Sequence, residues 1–462
     1  DRYYCWWNGS IAMSSNFQET TEKLKNIIDT LGNKKEYEFH FSSTDGADVT
    51  SRFGEVENIQ YHNDESLTVT CIDAKRKGVA STNNLSDESI KQTIEKSKTI
   101  ASFLETDEHQ GLAKENLINQ LNIDCNINYP KEFSTDQLID MTVECEKAAL
   151  DYDKRINNSE GSEYGYSQSN NLILNSHGAV GSYSSTSYTL SCVVIAEENG
   201  LKERDYAYTT RRNFEQTENA ETIGKLSAKK VISRLGAKSI STRKCPVILT
   251  PELSVGLFSS FLSAINGNNI YKKSSFLSEY LNKQVFANHI NITEKPDIKE
   301  GLGTRPFDSE GVQTSEKNII EEGVLNTFLL DTYSASQLKL KSTGNSGYSN
   351  ILVESSKKML SNLIESIDDG ILVTEMMGSG ANMLTGDYSR GAFGYLIEKG
   401  KISYPVTNFT IASNMIDMFK NIEEIGNDYY MNSKIKCGSV MIKDMTIGLS
   451  LIHISEPTRP MN

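Results

Sequence analysis

The stretch GILVTEMMGSGANMLTGDYSRGAFGYLIEKGKISYPVTNFTIA, residues 370–412, decides how the second half of this chain is read. Ile371, Leu372 and Val373 form a short apolar run of the kind that becomes a buried strand. Glycines at 378, 380, 386, 391 and 394 follow, carrying the chain past a polar cluster of Thr385, Asp387, Tyr388, Ser389 and Arg390. Two further strand-like stretches meet at residues 398–401, a polar turn with glycine that closes a β-hairpin. The reading is an antiparallel sheet that holds the polar cluster, with Gly391, at one end. Glycine lets a ligand or backbone come close, but it also marks plain bulges and bends. Both readings stand at this point.

Working outward, Pro246 to Leu249 reads as a buried strand, and residues 253–265 as an apolar helix carrying Ser254, Ser259, Ser260 and Ser263. Residues 414–425 are read as a second helix, and 339–350, rich in Ser, Gly and Asn, as a mobile loop. Upstream, Leu24, Ile27, Ile28 and Leu31 lie at helical spacing, while Tyr37, Phe39 and Phe41 alternate with polar residues as in a half-buried strand. A strand at 67–72 and a helix beginning at Ser86 complete a small α+β domain. Ser134 and Gln137 form a capping-box pattern ahead of a helix whose apolar face includes Cys145. Strands then run from 172 to 209, with turns at 175–178 and at Asn199-Gly200, before a helix at 222–235.

The expected fold is therefore α+β and multi-domain: a small N-terminal α+β domain at 13–120, a middle α+β domain at 121–240, and a larger C-terminal domain rich in antiparallel strands at 241–447. Residues 1–12 hold both tryptophans and no structural period, and 448–462 resemble a translated adapter; they are read as a foreign leader and an artefactual tail.

At 462 residues the chain exceeds one ordinary core. A net charge of -14 argues against a nucleic-acid footprint, which needs clustered Lys and Arg. Seven scattered cysteines without a C-x-x-C pair suit a reducing compartment, and no apolar run is long enough for a membrane-spanning helix, so a cytoplasmic protein is expected. The histidines at 40, 62, 109, 177, 289 and 453 show no H-x-x-H, H-x-x-x-H or H-E-x-x-H spacing. His289 and Cys437 remain as possible members of a dispersed metal site. Nucleophile-elbow, dinucleotide and P-loop patterns are absent. Asp308, Glu310 and Asp387 are the carboxylates available for acid–base work, although such residues beside glycine turns commonly serve as caps.

Eight ordered motifs carry a resemblance: NIYKKSSFL at 269–277, TRPFDSEGV at 304–312, EEGVL at 321–325, LLDTYSASQL at 329–338, KSTGN at 341–345, TGDYSRGAFG at 385–394, YPV at 404–406 and IGNDY at 425–429. In this order the chain resembles the PmbA (TldE) branch of the TldD/TldE metallopeptidase family, over roughly residues 13–447. The resemblance implies a zinc peptidase of two subunit types acting on unstructured peptides. In the TldD type, a helix bears H-E-x-x-x-H; the corresponding stretch here, LTPELSVGLFSSFLSAI, has no histidine. The implied role is thus the subunit without the metal: no catalytic residue and no metal ligand in this chain, zinc in a TldD-type partner, and Thr385, Asp387, Tyr388, Ser389, Arg390 and Gly391 lining the shared peptide cavity. Two alternatives stay open, a peptide-binding module with no part in cleavage and a self-contained homo-oligomeric hydrolase using Asp308, Glu310 or Asp387.

Overall fold

The computed structural model describes residues 15–31, 35–114, 117, 125–378 and 380–449. The leader at 1–12, most of the tail and residues 115–116 and 118–124 lie outside the described residues.

Six strands, β1 (Glu36–Arg52), β2 (Glu55–Asp73), β3 (Arg76–Thr82), β4 (Ile156–Asn175), β5 (Val180–Glu198) and β6 (Leu201–Arg211), form one antiparallel sheet in the order β3-β2-β1-β4-β5-β6. The N-terminal and middle units both contribute to it, because β1 pairs with β2 on one side and with β4 on the other; Phe39 lies between Val69 and Leu174. Four helices cover it: α1 (Ser15–Thr30), α2 (Asp87–Phe103), α3 (Thr135–Leu150) and α4 (Ala220–Arg234). Leu24 and Ile28 of α1 and Ile90 and Ile94 of α2 close on Phe39, Phe41, Leu67 and Val69. Leu138, Cys145 and Ala149 of α3 and Ile223 and Val231 of α4 close on Val49, Leu190 and Val194. Gly224 makes that second packing possible, since a Cβ there would lie 2.1 Å from the Cys145 carbonyl oxygen. The predicted caps form: the Ser86 hydroxyl accepts from the Ser89 N–H, and Ser134 and Gln137 make a full capping box.

The strands are much longer than the sequence pattern shows. Residues 42–66, which carry no apolar alternation, continue β1 and β2 as a hairpin turned at Phe53-Gly54, both with positive φ (52° and 77°), the geometry of a primed two-residue turn. The Gly54 N–H donates to Glu146 of α3 at 3.1 Å.

Beyond α4 come β7 (Lys238–Ser239) and β8 (Arg243–Leu249), then α5 (Pro251–Ala264) and α6 (Gly267–Tyr271). The strands β9 (Ile292–Glu294), β10 (Lys317–Glu321) and β11 (Val324–Leu325) precede α7 (Thr332–Leu338). Next are β12 (Ile351–Val353), α8 (Leu360–Glu365), β13 (Asp369–Met377), β14 (Asp387–Glu398) and β15 (Lys401–Asn414). The described chain ends with α9 (Met415–Lys420), β16 (Ile422–Ile425), β17 (Ile435–Lys436) and β18 (Val440–Leu449). Seven of these strands run β16-β18-β8-β13-β14-β15-β7, and β15 pairs again with β18, closing a ring. Five others make a smaller sheet, β11-β10-β9-β12-β17. Between them α5 buries Leu257, Phe258, Phe261 and Leu262, with Phe261 edge-on to Phe286 and Phe419.

Two expectations for this half are corrected. The helix read at 414–425 stops at Lys420; Ile422 and Ile425 instead pair with Ile442 and Val440, where β-branched residues fit a pleated surface better than a helix. The loop at 339–350 is not a mobile solvent loop over its second half. Asn345, Ser349 and Asn350 are buried. Asn345 and Ser349 are held by Glu294, a buried carboxylate that accepts from Lys317 Nζ at 2.7 Å, Asn345 Nδ2 at 2.8 Å, the Ser349 N–H at 2.7 Å and the Ser349 hydroxyl at 2.8 Å, while Asn350 donates to the Thr304 hydroxyl at 2.7 Å and to the Lys295 carbonyl at 3.1 Å. Burial pushes this carboxyl up, but Lys317 and the other donors outweigh it and hold it below the ordinary glutamate range.

The long sheet and the C-terminal half meet at several places. Tyr183 packs edge-on against Phe307 with Ile173 and Ala179. At the β6 edge, the Asn432 carboxamide accepts from the Thr210 N–H at 3.1 Å and donates to the Tyr208 carbonyl at 2.9 Å, occupying the groups a further strand would use.

Candidate functional site

The polar cluster sits where β13 hands over to β14. Residues 380–386 fold back against the start of β14: the Ser389 N–H donates to the Gly380 carbonyl at 2.9 Å, and the Asn382 N–H to the Asp387 carbonyl at 2.8 Å. Gly386 turns the chain with φ +78° beneath Phe276 and Asn414. At the tip, the Thr385 hydroxyl donates to Asp387 Oδ2 at 2.7 Å. Asn414 donates to the Thr385 carbonyl at 3.1 Å and approaches Asp387 Oδ1 at 3.5 Å.

Strand alternation divides the cluster. Thr385, Asp387 and Ser389 are exposed, whereas Tyr388 is buried and donates its hydroxyl to the Met376 sulfur at 3.0 Å. Burial pushes the Tyr388 phenol up, and Arg390 beside it pulls the other way. Arg390 lies across Gly380, where a Cβ would meet its Cγ at 1.9 Å; Nη2 donates to the Met376 carbonyl at 3.4 Å, and Nε is buried without a partner. The structure therefore brings Thr385, Asp387 and Asn414 together on an open surface and places Tyr388 and Arg390 behind them. Asn414 was not read from the sequence as part of the cluster; its signal there is that of a helix N-cap, a role it also fills by accepting from the Ile416 N–H.

The three carboxylates considered for acid–base work do not converge. Asp308 closes its own loop, accepting from the N–H groups of Glu310, Val312 and Ser346 at 2.9 Å each. Glu310 accepts from the Thr332 N–H at 2.8 Å and faces a cavity of about 300 Å³ shared with Glu38, Lys77, Asp331 and Tyr333. Burial pushes its carboxyl up to about 7, with Thr332 pulling down and Asp308 and Asp331 adding to the rise. Asp387 does not line this cavity. Cys437 is fully buried with its thiol toward the Pro251 carbonyl, and burial raises it. His40 pairs with Glu38, His62 with Asp48, His109 with Ser336 and His177 with Glu36. Among the described residues, no three His, Cys, Asp or Glu side chains stand close enough to hold a metal ion.

The whole chain, and not its C-terminal half alone, has counterparts among known proteins. Family models for the PmbA/TldA metallopeptidases match it in three pieces: domain 1 at 37–101, the central domain at 128–235 and the C-terminal domain at 242–449. The chain belongs to the PmbA/TldD metallopeptidase family. It is 41% identical over 407 residues to metalloprotease PmbA of Escherichia coli O157:H7, covering 88% of this chain and 90% of that one. A PmbA homologue of Haemophilus influenzae is 38% identical, covering 87% and 90%. Among solved structures, a proposed modulator of DNA gyrase from Bacteroides thetaiotaomicron superposes with a TM-score of 0.89 at 28% identity, over 94% of this chain and 99% of that one. TldE from Thermococcus kodakarensis shares the fold at 0.83 and 22% identity, over 93% and 100%.

Proposed function

We propose that this chain is the metal-free subunit of a cytoplasmic TldD/TldE-type zinc peptidase that cleaves unstructured peptides, with zinc carried by a TldD-type partner. The observation that carries the reading is α5. The resemblance sets it against the helix expected to bear the zinc ligands in TldD-type chains, and its inward positions are Leu257, Phe258, Phe261 and Leu262, packed in the core. Filling that helix with phenylalanine and leucine builds a scaffold, so what this chain offers a peptide lies on its surface. The exposed Thr385, Asp387 and Ser389, backed by Arg390 and Gly391, present hydroxyl and carboxylate groups at the end of a strand. Such groups can bind peptide N–H donors and help enclose an extended chain.

The test is metal content and peptide hydrolysis, measured on the purified chain alone and mixed with a TldD-type subunit. A silent, metal-free chain and an active, zinc-bearing mixture are expected; a lone chain that binds metal stoichiometrically and cleaves overturns the reading. Within the mixture, Asp387→Ala and Arg390→Ala should lower turnover about tenfold, the loss of roughly one charge-assisted hydrogen bond each, without unfolding the chain. Unchanged turnover removes the cluster from the cavity. Peptide affinity with no effect on the partner's turnover marks a binding module instead.

A further inference from the structure

The other edge of the long sheet is, among the described residues, only partly covered. The short strand β3 covers only residues 67–73 of β2. Among the described residues, no strand pairs with the outward side of residues 55–66, about 40 Å of strand at ~3.3 Å per residue. From Phe53 to Tyr61 every residue is exposed, on both faces of the sheet, and these include Val56, Ile59 and Tyr61, the last 64% exposed. Ile59 and Tyr61 stand opposite Val49 and Ala47, which are buried beneath the helices, so their face continues the apolar surface of the sheet. Unpaired strand edges recruit strands, and proteins usually blunt them with lysines, prolines or a covering element.

We infer that residues 55–66 accept an extended strand from a different polypeptide, and that this strand is basic. Glu55, Glu57, Asp64 and Glu65 lie along the edge, with no Lys or Arg between 53 and 66; the nearest cation, Arg52 at the turn, comes within 3.9 Å of Glu57. A second copy would set four acids against four acids between two chains of net charge -14, which repels self-pairing. A strand carrying Lys or Arg brings opposite charge to Glu55, Glu57 and Asp64, while its alternate apolar side chains cover Ile59 and Tyr61. The inference rests on the edge alone and not on the peptidase reading.

The experiment uses the full chain with two labelled twelve-residue probes, one alternating Lys and Val, the other Glu and Val. Fluorescence anisotropy gives affinity, and hydrogen exchange shows which amides become protected. The Lys probe should bind and protect 55–66, and the Glu probe should not. The double variant Glu55→Lys, Glu57→Lys should weaken the Lys probe about tenfold, as expected for losing close charge pairs at an edge. Ile59→Pro should do the same by disturbing the edge backbone, with the charge variant deciding if the proline variant misfolds. Protection that maps elsewhere, or binding indifferent to the charge reversal, overturns the inference. So does protection of 55–66 in the dilute chain alone, or sedimentation showing that a second copy covers the edge.

Discussion

The six-stranded sheet has two edges treated in opposite ways. At β6, Asn432 imitates a neighbouring strand, Lys230 Nζ donates to the Tyr206 carbonyl at 3.0 Å, and the C-terminal half lies alongside. At β2 the backbone of 55–66 meets no strand among the described residues. The contrast teaches where the fold spends its long-range contacts: it seals the edge that faces its own C-terminal half and, among the described residues, gives 55–66 no partner strand.

The largest test of this contrast is Glu294→Ala. It leaves Lys317, only 14% exposed at the side chain, without its carboxylate and frees Asn345 and Ser349. Breaking such a buried pair costs about 3–5 kcal/mol. Because the segment it holds leads into β12, which pairs with β17 just after Asn432, exchange at the Thr210 amide should rise while residues 55–66 stay unchanged. The stabilisation from Glu294 should also fade as pH drops through the depressed folded value, since its carboxyl binds a proton less readily folded than unfolded. Melting at neutral pH that matches the parent chain would show that the hub does not hold the seal.

Glu310 works with the opposite sign, near the place where the β2 end of the sheet meets the C-terminal half. Its folded value is about 7, against about 4.3 for an unperturbed glutamate. The folded state holds the proton more tightly, so the contribution is complete below the unfolded value and lost as pH rises through the folded one. Glu310→Gln should therefore flatten the decline of stability between about pH 5 and 8, by roughly 2 kcal/mol. Parallel melting curves across that range would show that the carboxyl is not burdened by burial.

The smallest expected effect is the most local. Asn432→Ala removes both edge hydrogen bonds and should cost about 1–2 kcal/mol, with faster exchange at Thr210. A surface change such as Gln60→Thr on the bare edge should stay within about 0.5 kcal/mol. Equal responses at the two edges would dissolve the contrast.

The same contrast marks what was legible in the sequence. Helices with caps and apolar faces were readable, because Ser86, Ser134 and the Leu24–Ile28 stripe act locally. The 42–66 hairpin was not, because strand pattern is read from one-sided burial, and its outer half is exposed on both faces. The buried loop at 343–350 misled for the converse reason: Ser, Gly and Asn signal solvent unless a distant partner needs donors, and Glu294 lies about fifty residues upstream of that loop. Of the candidate site, sequence order gave the glycine-borne cluster at 385–391, but only the strand's alternation separates surface-facing Asp387 and Ser389 from inward-facing Tyr388.

The ring in the C-terminal half has a consequence for how the chain is made. The strand that closes it, β18, pairs with β8 on one side and β15 on the other, and it is the final strand described. A ribosome delivers β8 and α5 early and β18 late. Until β18 emerges, the ring stays open and the phenylalanines of α5 lack their full enclosure, so this half completes its core only once about 200 residues beyond β8 have been synthesised.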